Sequence, residues 1–576
     1  MSSKRWLVKT SHNEEEINEL RSALKIDPIV AELLLQRNID SFEAAELFFR
    51  PQWSQLHDPL LMKDLPAAVD RINTAISKGE KILLFGDYDV DGTTAVTLLH
   101  TLLKPHYAAI DFYIPDRYTE GYGISIQGID FAKENNFSVI IALDCGVRSI
   151  EHIAYAKELG IDFIVCDHHQ PGDVLPDCLV LDPKREDCTY PYKELSGCGV
   201  GFKLMQGLFL ENQWNENELQ DCLDLLALSI GADIVPVTGE NRVLAYFGML
   251  QLNAKPRFAF QYMIETAKRI FPLTLTDVVF TIAPRINAAG RIRSGKYAVE
   301  LMISADKEEI KNLVAEIEED NLLRRELDKE ITEEALAMID NDVHFLDKKS
   351  TVVFKNDWHK GVVGIVASRL IEKHYRPTIV LTESNGKATG SARSVNNFDL
   401  YNSLVECEHL LDQFGGHTHA AGLTLSLDNI DAFVQQFETV VAKNLNKEDQ
   451  TAEQVIDAEL SLDELYLSDQ NRTQLPRIKR ILDQFEPFGP GNMKPVFMAK
   501  NVYAIETRLL KDAHLKLRMT QPNSTVAVDG IGFNLADKQE FVASGLPFDI
   551  TFTLESNTWK DKTTLQLNIK DIRSTI

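Results

Sequence analysis

The feature that most constrains the fold is an alternation of short apolar runs with helical segments between Ala67 and Asp233. The apolar runs are KILLFG (81–86), IDFYIP (110–115), SVIIALD (138–144), DFIVCD (162–167) and CLVLDP (178–183). Such alternation predicts a parallel β-sheet whose strands are connected by helices. The carboxyl ends of parallel strands meet along one edge of the sheet, where ligands bind.

Aspartates stand at this predicted edge. Asp87 follows the first strand in the stretch GDYDVDGTTA, Asp144 ends the third and Asp167 ends the fourth. Asp89 and Asp91 continue the first cluster at alternate positions. Burying so many like charges together is costly unless a cation neutralises them. The pattern therefore favours a divalent-metal site, although a solvated acidic turn is the alternative interpretation of the first cluster alone.

Calcium binding by an EF-hand loop is excluded by the same stretch. Asp87, Asp89, Asp91 and Gly92 match the opening of such a loop. The loop also needs a bidentate glutamate at the position of Leu98, which instead lies in the apolar segment AVTLLHTLL. The acids must therefore serve another kind of site.

The types of candidate ligand indicate which metal is bound. His168 and His169 follow the fourth strand, and Asp233 lies between apolar stretches in LALSIGADIVPV. Carboxylates and imidazoles without thiolates favour manganese or magnesium. The candidate ligands are Asp89, Asp91, Asp144, His168 and Asp233. They outnumber what one ion needs, so we expect two metals about 3.5–4 Å apart, a pair suited to phosphoester hydrolysis.

Composition narrows the class of protein. At 576 residues, with 44% hydrophobic and 25% charged residues, the chain is expected to form several soluble domains. A net charge of −26 counts against nucleic-acid binding but leaves room for a local basic surface. Scattered cysteines argue against a disulfide framework and a zinc ribbon. No segment has the length of a signal peptide or a membrane span, so we expect a cytoplasmic protein without membrane contact.

The rest of the chain predicts further domains. Residues 305–340 have the spacing of one long helix. A second α/β unit starts at STVVFKNDWHKGVVGIVASRL (350–370), with strands in RPTIVL and KATGSARS, and with GGHTHAAG (415–422) as a glycine-rich loop that opens a helix. From Thr451 the pattern predicts a small antiparallel β-barrel of the OB-fold type. The expected fold class is two α/β lobes joined by a long helix, with a C-terminal OB-fold barrel.

The motifs, taken in order, resemble a known family. They are GDYDVDGTTA, IPDRYTEGYG, LDCGVRS, VCDHHQP, GADIVP, PRINAAGR, WHKGVVGIVASRL, GSARS and GGHTHAAG. The chain is similar in these motifs to the DHH phosphoesterase superfamily and, within it, to the RecJ family of single-strand-specific DNA exonucleases. This resemblance implies an N-terminal helical extension (1–60), a DHH catalytic domain (61–304), a connecting helix (305–345), a DHHA1 domain (346–450) and an OB-fold nucleic-acid-binding domain (451–576).

The resemblance also implies catalytic roles. The implied catalytic residues are Asp87, Asp89, Asp91, Asp144, His168, His169 and Asp233. All of these except Asp87 and His169 would bind two Mn²⁺ or Mg²⁺ ions, with Asp144 bridging. Phe85 occupies a position where related proteins have a histidine, so Asp87 or water would complete the first metal's coordination. His169 would face the scissile phosphate; the alternative is that it packs behind the ligands.

Substrate contacts are implied as well. Arg117, Ser391 and Arg393 match positions that bind a 5′-phosphate, for which guanidinium and hydroxyl donors are suited. His417 would contact the substrate near the scissile bond, and Arg285 would contact the backbone or form a structural ion pair. The implied activity is 5′-to-3′ hydrolysis of single-stranded DNA to mononucleotides in repair and recombination, with a single-strand-binding protein and a helicase as partners.

Two other functions fit parts of the sequence. Short-oligonucleotide and cyclic-dinucleotide phosphodiesterases of the same superfamily normally lack the N-terminal extension and the C-terminal barrel. A non-catalytic replication scaffold with a DHH-like domain would be expected to have lost metal ligands, whereas every matched acid and histidine is present here. Both features favour the exonuclease.

Overall fold

The computed structural model describes residues 4–466, 475–560 and 562–575. The chain divides into two compact units, one formed by Met1–Leu7 and Glu318–Gln454, the other by Val8–Ile317 and Val455–Ile576. Among the described residues, no helix has the combination of length and apolarity needed to cross a membrane.

The helices lie mostly in the larger unit. They are α1 (Glu14–Leu24), α2 (Pro28–Leu35), α3 (Phe42–Phe49), α4 (Leu65–Lys78), α5 (Val90–Leu103), α6 (Ile126–Glu134), α7 (Ile150–Glu158), α8 (Gly197–Asn212), α9 (Asn217–Gln220), α10 (Leu223–Ala232), α11 (Gly239–Ala254), α12 (Phe258–Thr266), α13 (Leu275–Thr281), α14 (Ala283–Ile292), α15 (Lys296–Ile303), α16 (Lys307–Asn341), α17 (Val343–Asp347), α18 (Val363–Lys373), α19 (Leu400–Val405), α20 (Ile430–Asn444), α21 (Arg477–Asp483) and α22 (Gln539–Ala543). The predicted long helix is present as α16.

Among the described residues, the strands form three main sheets and one two-stranded sheet. They are β1 (Arg5–Val8), β2 (Lys81–Gly86), β3 (Ile110–Tyr113), β4 (Phe137–Leu143), β5 (Asp162–Cys166), β6 (Leu179–Leu181), β7 (Thr351–Phe354), β8 (Thr378–Ser384), β9 (Lys387–Arg393), β10 (Gln413–His417), β11 (Ala420–Ser426), β12 (Glu453–Ile456), β13 (Ala458–Glu459), β14 (Phe497–Leu510), β15 (His514–Thr520), β16 (Val528–Gly532), β17 (Phe548–Trp559) and β18 (Lys562–Ser574).

The first main sheet is the predicted parallel sheet. Its strand order is β3-β2-β4-β5-β6, and every pairing is parallel. Both faces are buried, because Ile82 and Leu84 of β2 belong to one hydrophobic core while Leu83 and Phe85 belong to another. This two-sided burial explains why the strands are continuous apolar runs rather than alternating ones.

The carboxyl edge of this sheet carries a buried acid outside the expected metal-binding set, Asp182. Its Oδ1 accepts a hydrogen bond from the backbone of Lys184 at 2.7 Å. Its Oδ2 is buried with no hydrogen-bond partner among the residues that the structure describes. Burial, reinforced by the charge of Asp167, raises the pKa of Asp182 to about 7.

Asp182→Asn is expected to stabilise the protein in a pH-dependent way. The folded chain binds the Asp182 proton more tightly than the unfolded chain, so the wild-type free energy of unfolding falls as pH rises from the ordinary pKa of 3.8 to about 7. The neutral amide of Asp182→Asn avoids this loss. Above pH 7 we therefore expect the free energy of unfolding of the variant to exceed that of the wild type by about 2–4 kcal/mol. Urea unfolding at several pH values measures it; equal wild-type and variant stabilities at pH 8 would contradict the expectation.

The smaller unit contains the second main sheet. Its order is β10-β11-β9-β8-β7, with β7 and β8 parallel and the other pairs antiparallel. The prediction that GGHTHAAG is a loop opening a helix is wrong. This segment is a hairpin in which His417 of β10 pairs with Ala420 of β11, so its backbone groups bond across the sheet. The next helix, α20, begins only at Ile430.

The third main sheet is the C-terminal barrel. Its order is β13-β14-β15-β16-β18-β17, and pairing of β14 with β17 closes it. The barrel was expected to be antiparallel, but β16 and β18 are parallel. Helix α22 and strand β17 separate β16 from β18 along the chain, and β17 and β18 are antiparallel. The OB-fold prediction is confirmed.

The barrel shares its hydrophobic core with the N-terminal helices. Phe48 and Phe49 of α3 both make edge-to-face contacts with Phe485, which precedes the barrel. Arg242 is buried nearby and donates hydrogen bonds to the backbone carbonyls of Phe485 at 2.8 Å and Phe48 at 3.0 Å. Within this unit, helices, sheet and barrel are therefore packed together rather than linked loosely.

Gly489→Ala tests this packing. A Cβ at position 489 would lie 2.4 Å from Val237 Cγ2, so we expect overpacking to destabilise the protein by about 1–3 kcal/mol. Val237→Ala alone removes buried volume and is also destabilising. The double variant should recover part of both losses, because the new methyl group occupies the vacated space. Thermal unfolding measures these changes. If the destabilisation of the double variant equals the sum of those of the two single variants, residues 489 and 237 are not in contact.

Candidate active site

The sheet register brings the predicted acids into one row. Gly86 of β2 pairs with Leu143 of β4, and Leu143 pairs with Cys166 of β5. The residues that follow these three positions are Asp87, Asp144 and Asp167. They therefore occupy equivalent places at the carboxyl edge, as the sequence predicts for a parallel sheet.

The segment after β2 turns immediately into helix α5. Asp89 caps the start of α5, and its side chain accepts a hydrogen bond from the backbone of Gly92 at 3.0 Å. Asp87 is completely buried, and neither of its carboxylate oxygens has a hydrogen-bond partner among the described residues. Buried carboxylate oxygens without donors are costly, and a bound cation would offset that cost.

Asp91 is fixed from two other helices. Its carboxylate accepts hydrogen bonds from the backbone of Gly197 at 2.7 Å and of Cys198 at 2.8 Å, both at the start of α8. Ser229 of α10 donates a third hydrogen bond at 2.6 Å. The positive end of a helix stabilises a carboxylate. Asp91 is thus held in one orientation.

His168 lies at the centre of the carboxylates. Its Nε2 is 3.1 Å from Asp144 Oδ1, 3.5 Å from Asp233 Oδ2 and 3.8 Å from Asp91 Oδ2. Neither ring nitrogen makes a hydrogen bond with any described residue. Two ligand sets lie within metal-binding distance, Asp144 with His168 and His169, and Asp91 with His168 and Asp233. This oxygen and nitrogen donor set fits Mn²⁺ or Mg²⁺.

Electrostatics support the same conclusion. Burial raises the pKa of Asp233 to about 8, with further contributions from the charges of Asp91 and Asp89. Burial and neighbouring acids also raise the pKa values of Asp87 and Asp144 well above the usual range. Without a cation these carboxyls cannot all be ionised at neutral pH. Divalent ions would restore the ionised state, so the site is built for positive charge.

His169 differs from His168 because Asp167 holds it. Asp167 Oδ1 is 2.7 Å from His169 Nδ1, and Tyr122 Oη is 3.2 Å from His169 Nε2. Burial opposes protonation of His169, but the hydrogen bond to Asp167 outweighs it and raises the His169 pKa to about 9. The same interaction outweighs burial at Asp167, whose pKa lies well below its usual value. His169 is therefore a cation near Asp144 at neutral pH.

Close packing places Asp144 against helix α8. Its backbone has a φ of 61°, a left-handed conformation that aspartate tolerates better than most residues. A Cβ on Gly197 would lie 2.7 Å from Asp144 Oδ1, so only glycine lets α8 approach this carboxylate. The approach is also what brings the α8 backbone to Asp91.

The predicted substrate residues fall in both units. In the larger unit, the Arg117 guanidinium lies 5.0 Å from the centre of the Tyr88 ring, and Arg285 of α14 donates a hydrogen bond to the Thr281 carbonyl. The bond from Arg285 is local and by itself does not show a substrate role.

The smaller unit carries Ser391, Arg393 and His417. Arg393 Nη1 donates a hydrogen bond to Ser391 Oγ at 2.7 Å. Both side chains lie beside Gly364 near the start of α18, since a Cβ there would be 3.0 Å from Ser391 Oγ and 2.8 Å from Arg393 Nη2. Hydroxyl, guanidinium and helix start together favour an anion. His417 lies in edge strand β10 and is exposed.

Some features of the site were not predicted from the sequence. Asp167 was noted only as an acid at a strand end, although its place as the first residue of the DHH triplet was a signal for its role beside His169. Tyr122 and Ser229 were not singled out. Phe85 is fully buried and stacks on Tyr113, so it lies in the core rather than among the ligands.

Comparisons with known proteins agree with this geometry. Residues 81–230 match the DHH family, N-terminal domain, residues 347–443 the DHHA1 domain and residues 456–571 the RecJ OB domain. The chain is 38% identical over 576 residues to the single-stranded-DNA-specific exonuclease RecJ of Bacillus subtilis (strain 168), covering 99% of this chain and 71% of that protein. It is 30% identical over 571 residues to RecJ of Escherichia coli (strain K12), with 95% and 96% covered.

A solved structure shows the same fold. The crystal structure of RecJ in complex with Mn²⁺ from Thermus thermophilus aligns with a TM-score of 0.84 at 26% identity, over 99% of this chain and 80% of that one. The Mg²⁺ complex of the same protein aligns with a TM-score of 0.78 at 25% identity, covering 99% and 79%. By sequence over its full length and by the arrangement of its domains, the chain belongs to the RecJ family.

Proposed function

We propose that this chain is a metal-dependent exonuclease that hydrolyses single-stranded DNA from the 5′ end to 5′-mononucleotides. The observation that carries the proposal is the cluster of Asp91, Asp144 and Asp233 around His168 Nε2, in which neither ring nitrogen of His168 has a hydrogen-bond partner among the described residues. The names of the RecJ relatives support the choice of substrate.

Two divalent ions would be held by this cluster. The proposed ligands are Asp89, Asp91, Asp144, His168 and Asp233, with Asp144 shared between the ions and Asp87 beside them. The Mn²⁺ and Mg²⁺ complexes of the Thermus protein support either ion. When bound, such a pair supplies an activated water and neutralises charge on the reacting phosphate.

The protein's own side chains would orient the substrate for this reaction. His169 is positioned by Asp167 and carries a positive charge, so we propose that it faces the scissile phosphate and stabilises it electrostatically. The buried positions of Asp87, Asp91 and Asp144 support exclusion of bulk water from their side of the site.

Selection of the 5′ end is proposed to depend on a phosphate site. Arg117, Ser391 and Arg393 would bind the terminal phosphate, and the contact of Ser391 and Arg393 near the start of α18 supports this. His417 would contact the substrate near the scissile bond, and Arg285 would contact the backbone. Capture of the terminal phosphate would make cleavage start at the 5′ end and remove one nucleotide at a time.

The wider setting is also part of the proposal. We propose the domain limits 1–60, 61–304, 305–345, 346–450 and 451–576, with the barrel guiding the strand to the DHH domain. A single-strand-binding protein and a helicase are proposed partners in repair and recombination. All seven cysteines are free, which supports a reducing compartment such as the cytoplasm.

Release of nucleotides from end-labelled oligonucleotides tests the function. With Mn²⁺ present, we expect mononucleotides from 5′-labelled single-stranded DNA at early times, little release from the same strand in a blunt duplex, and slow hydrolysis of a dinucleotide RNA. Preference for the dinucleotide would assign the chain to the short-oligonucleotide phosphodiesterases. Absence of hydrolysis with either metal would favour a non-catalytic scaffold.

A further inference from the structure

A cavity that takes no part in the proposed reaction opens on the surface of the larger unit. It is lined by residues of α11, the start of α13 and the segment that follows α21, and has a volume of about 250 Å³. These residues are distinct from the acids, histidines and substrate contacts described above. Leu250, which lines the cavity, is 51% exposed, so solvent reaches it. We call it the α11–α13 cavity.

The walls of the α11–α13 cavity are largely apolar and are held in place by hydrogen bonds. Tyr246 and Leu250 of α11 form one part of the wall, and Leu273 and Leu275 form another. Asn253 of α11 ties the two parts together, because its side chain donates to the Leu273 carbonyl at 2.9 Å and accepts from the Leu273 backbone N–H at 2.7 Å. The cavity is therefore formed before a ligand binds, which lowers the cost of binding.

The charged part of the lining is acidic. Among the described residues, Asp483 and Glu486 line the cavity, and no lysine or arginine does. The nearby lysines are engaged elsewhere, since Lys479 is ion-paired with Asp483 and Lys494 with Glu555 at 2.9 Å. Burial raises the pKa of Glu486, and the two lysines do not offset this effect. The Glu486 carboxylate therefore stands at an apolar cavity whose lining supplies no cation for it.

This chemistry excludes several classes of ligand. Two carboxylates without a lining cation repel phosphate and carboxylate groups, so neither nucleic acid nor an acidic peptide fits. A second copy of this chain, with its net charge of −26, brings charge of the same sign. The cavity is also smaller than most small-molecule sites, which span about 300–1,000 Å³. It suits the side chains of a peptide that carries positive charge.

We propose that the α11–α13 cavity binds a basic and apolar segment of a partner protein, with an arginine whose stem packs on Tyr246 and Leu250 and whose guanidinium pairs with Glu486. Arginine has this dual character, because its methylene stem is apolar and its planar cation binds carboxylates and stacks on aromatic rings. A large apolar neighbour on the segment would fill the space beside Leu275. This site does not depend on the reaction proposed above.

Selection of random short peptides, displayed on phage, against the immobilised full-length protein tests the site. We expect the enriched sequences to share an arginine next to a large apolar residue. Synthetic copies labelled with fluorescein then give dissociation constants from fluorescence polarisation. Replacing the arginine by citrulline keeps its shape and removes its charge, so binding should weaken by about tenfold or more.

Two variants of the cavity and one control complete the test. Glu486→Gln removes the charge and should weaken binding of the selected peptides by about tenfold. Leu250→Lys gives Glu486 a cation from the chain itself and should abolish binding. Glu134→Gln, at an exposed acid of α6 outside the cavity, should bind as the wild type does. All three proteins should keep the wild-type melting temperature and nuclease activity, because no proposed catalytic residue is changed.

Three outcomes would overturn the inference. If no peptide is enriched, or if the enriched peptides lack a basic residue, the cavity does not select positive charge. If the wild type and Glu486→Gln bind the selected peptides equally well, the peptides bind elsewhere. If the wild type self-associates and Leu250→Lys does not, the cavity binds a second copy of the chain. A wild type without nuclease activity would contradict the proposed function alone, because peptide binding is measured independently of DNA hydrolysis.

Discussion

Asp144→Asn is expected to lower turnover of single-stranded DNA by about 10³-fold or more, because it removes the carboxylate that is proposed to serve both metals. The substitution removes the negative charge of residue 144 and leaves the size of its side chain nearly unchanged. Asparagine tolerates the left-handed backbone of Asp144 (φ 61°), and the backbone hydrogen bond from Asp144 to the Cys166 carbonyl remains. The fold should therefore be unchanged.

The metal-free stability of this variant gives a second, opposite signal. Burial and the neighbouring acids raise the Asp144 pKa well above its usual value, so removing this carboxyl relieves repulsion. We expect the metal-free variant to melt at or above the wild-type temperature, while Mn²⁺ stabilises it less than the wild type. Asp111→Asn, on the exposed side of β3, is the matched control and should behave as wild type. Substantial nuclease activity in Asp144→Asn would contradict the bridging role.

Asp167→Asn is expected to lower kcat by about 10²-fold, through its effect on His169. The Asp167 carboxylate binds His169 Nδ1 and also accepts backbone hydrogen bonds from Val147 at 2.9 Å and His168 at 2.8 Å. An amide at this position has one acceptor oxygen and turns its NH₂ group toward a backbone donor. We therefore expect lower stability as well, by about 1–3 kcal/mol.

A double-variant cycle separates the kinetic effect of Asp167→Asn from its structural effect. If Asp167 acts through His169, adding Asp167→Asn to a His169→Ala protein should cost little further activity. Single-turnover rates at saturating substrate measure this. If the rate reduction in the double variant equals the product of the two single reductions, Asp167 contributes independently of His169. That result would remove the reason for giving His169 a charged role.

The acids at the carboxyl edge of the sheet could be predicted because their positions depend only on where each strand ends in the sequence. Each strand is a continuous apolar run, and a parallel register then aligns whatever residue follows. Asp87, Asp144 and Asp167 form one row for this reason. The order of domains could also be read from the periodicity of the long helix and from the short strands of the C-terminal barrel.

The environment of each acid could not be predicted in the same way, because it depends on distant parts of the chain. The donors to Asp91 come from Gly197, Cys198 and Ser229, which lie more than a hundred residues away and were not singled out from the sequence. The wrong prediction for GGHTHAAG has a similar cause, because it depends on which strand the segment pairs with. GGHTHAAG is a strand pair because β9 offers β11 a free edge, and glycine content alone does not reveal that edge.

The most direct test of the two-metal centre is an anomalous difference map from crystals of the wild-type protein soaked in MnCl₂. We expect two Mn²⁺ peaks about 3.5–4 Å apart, with Asp144 bound to both and with Asp91, His168 and Asp233 among the remaining ligands. A single peak, or peaks that Asp144 does not contact, would contradict the two-metal centre.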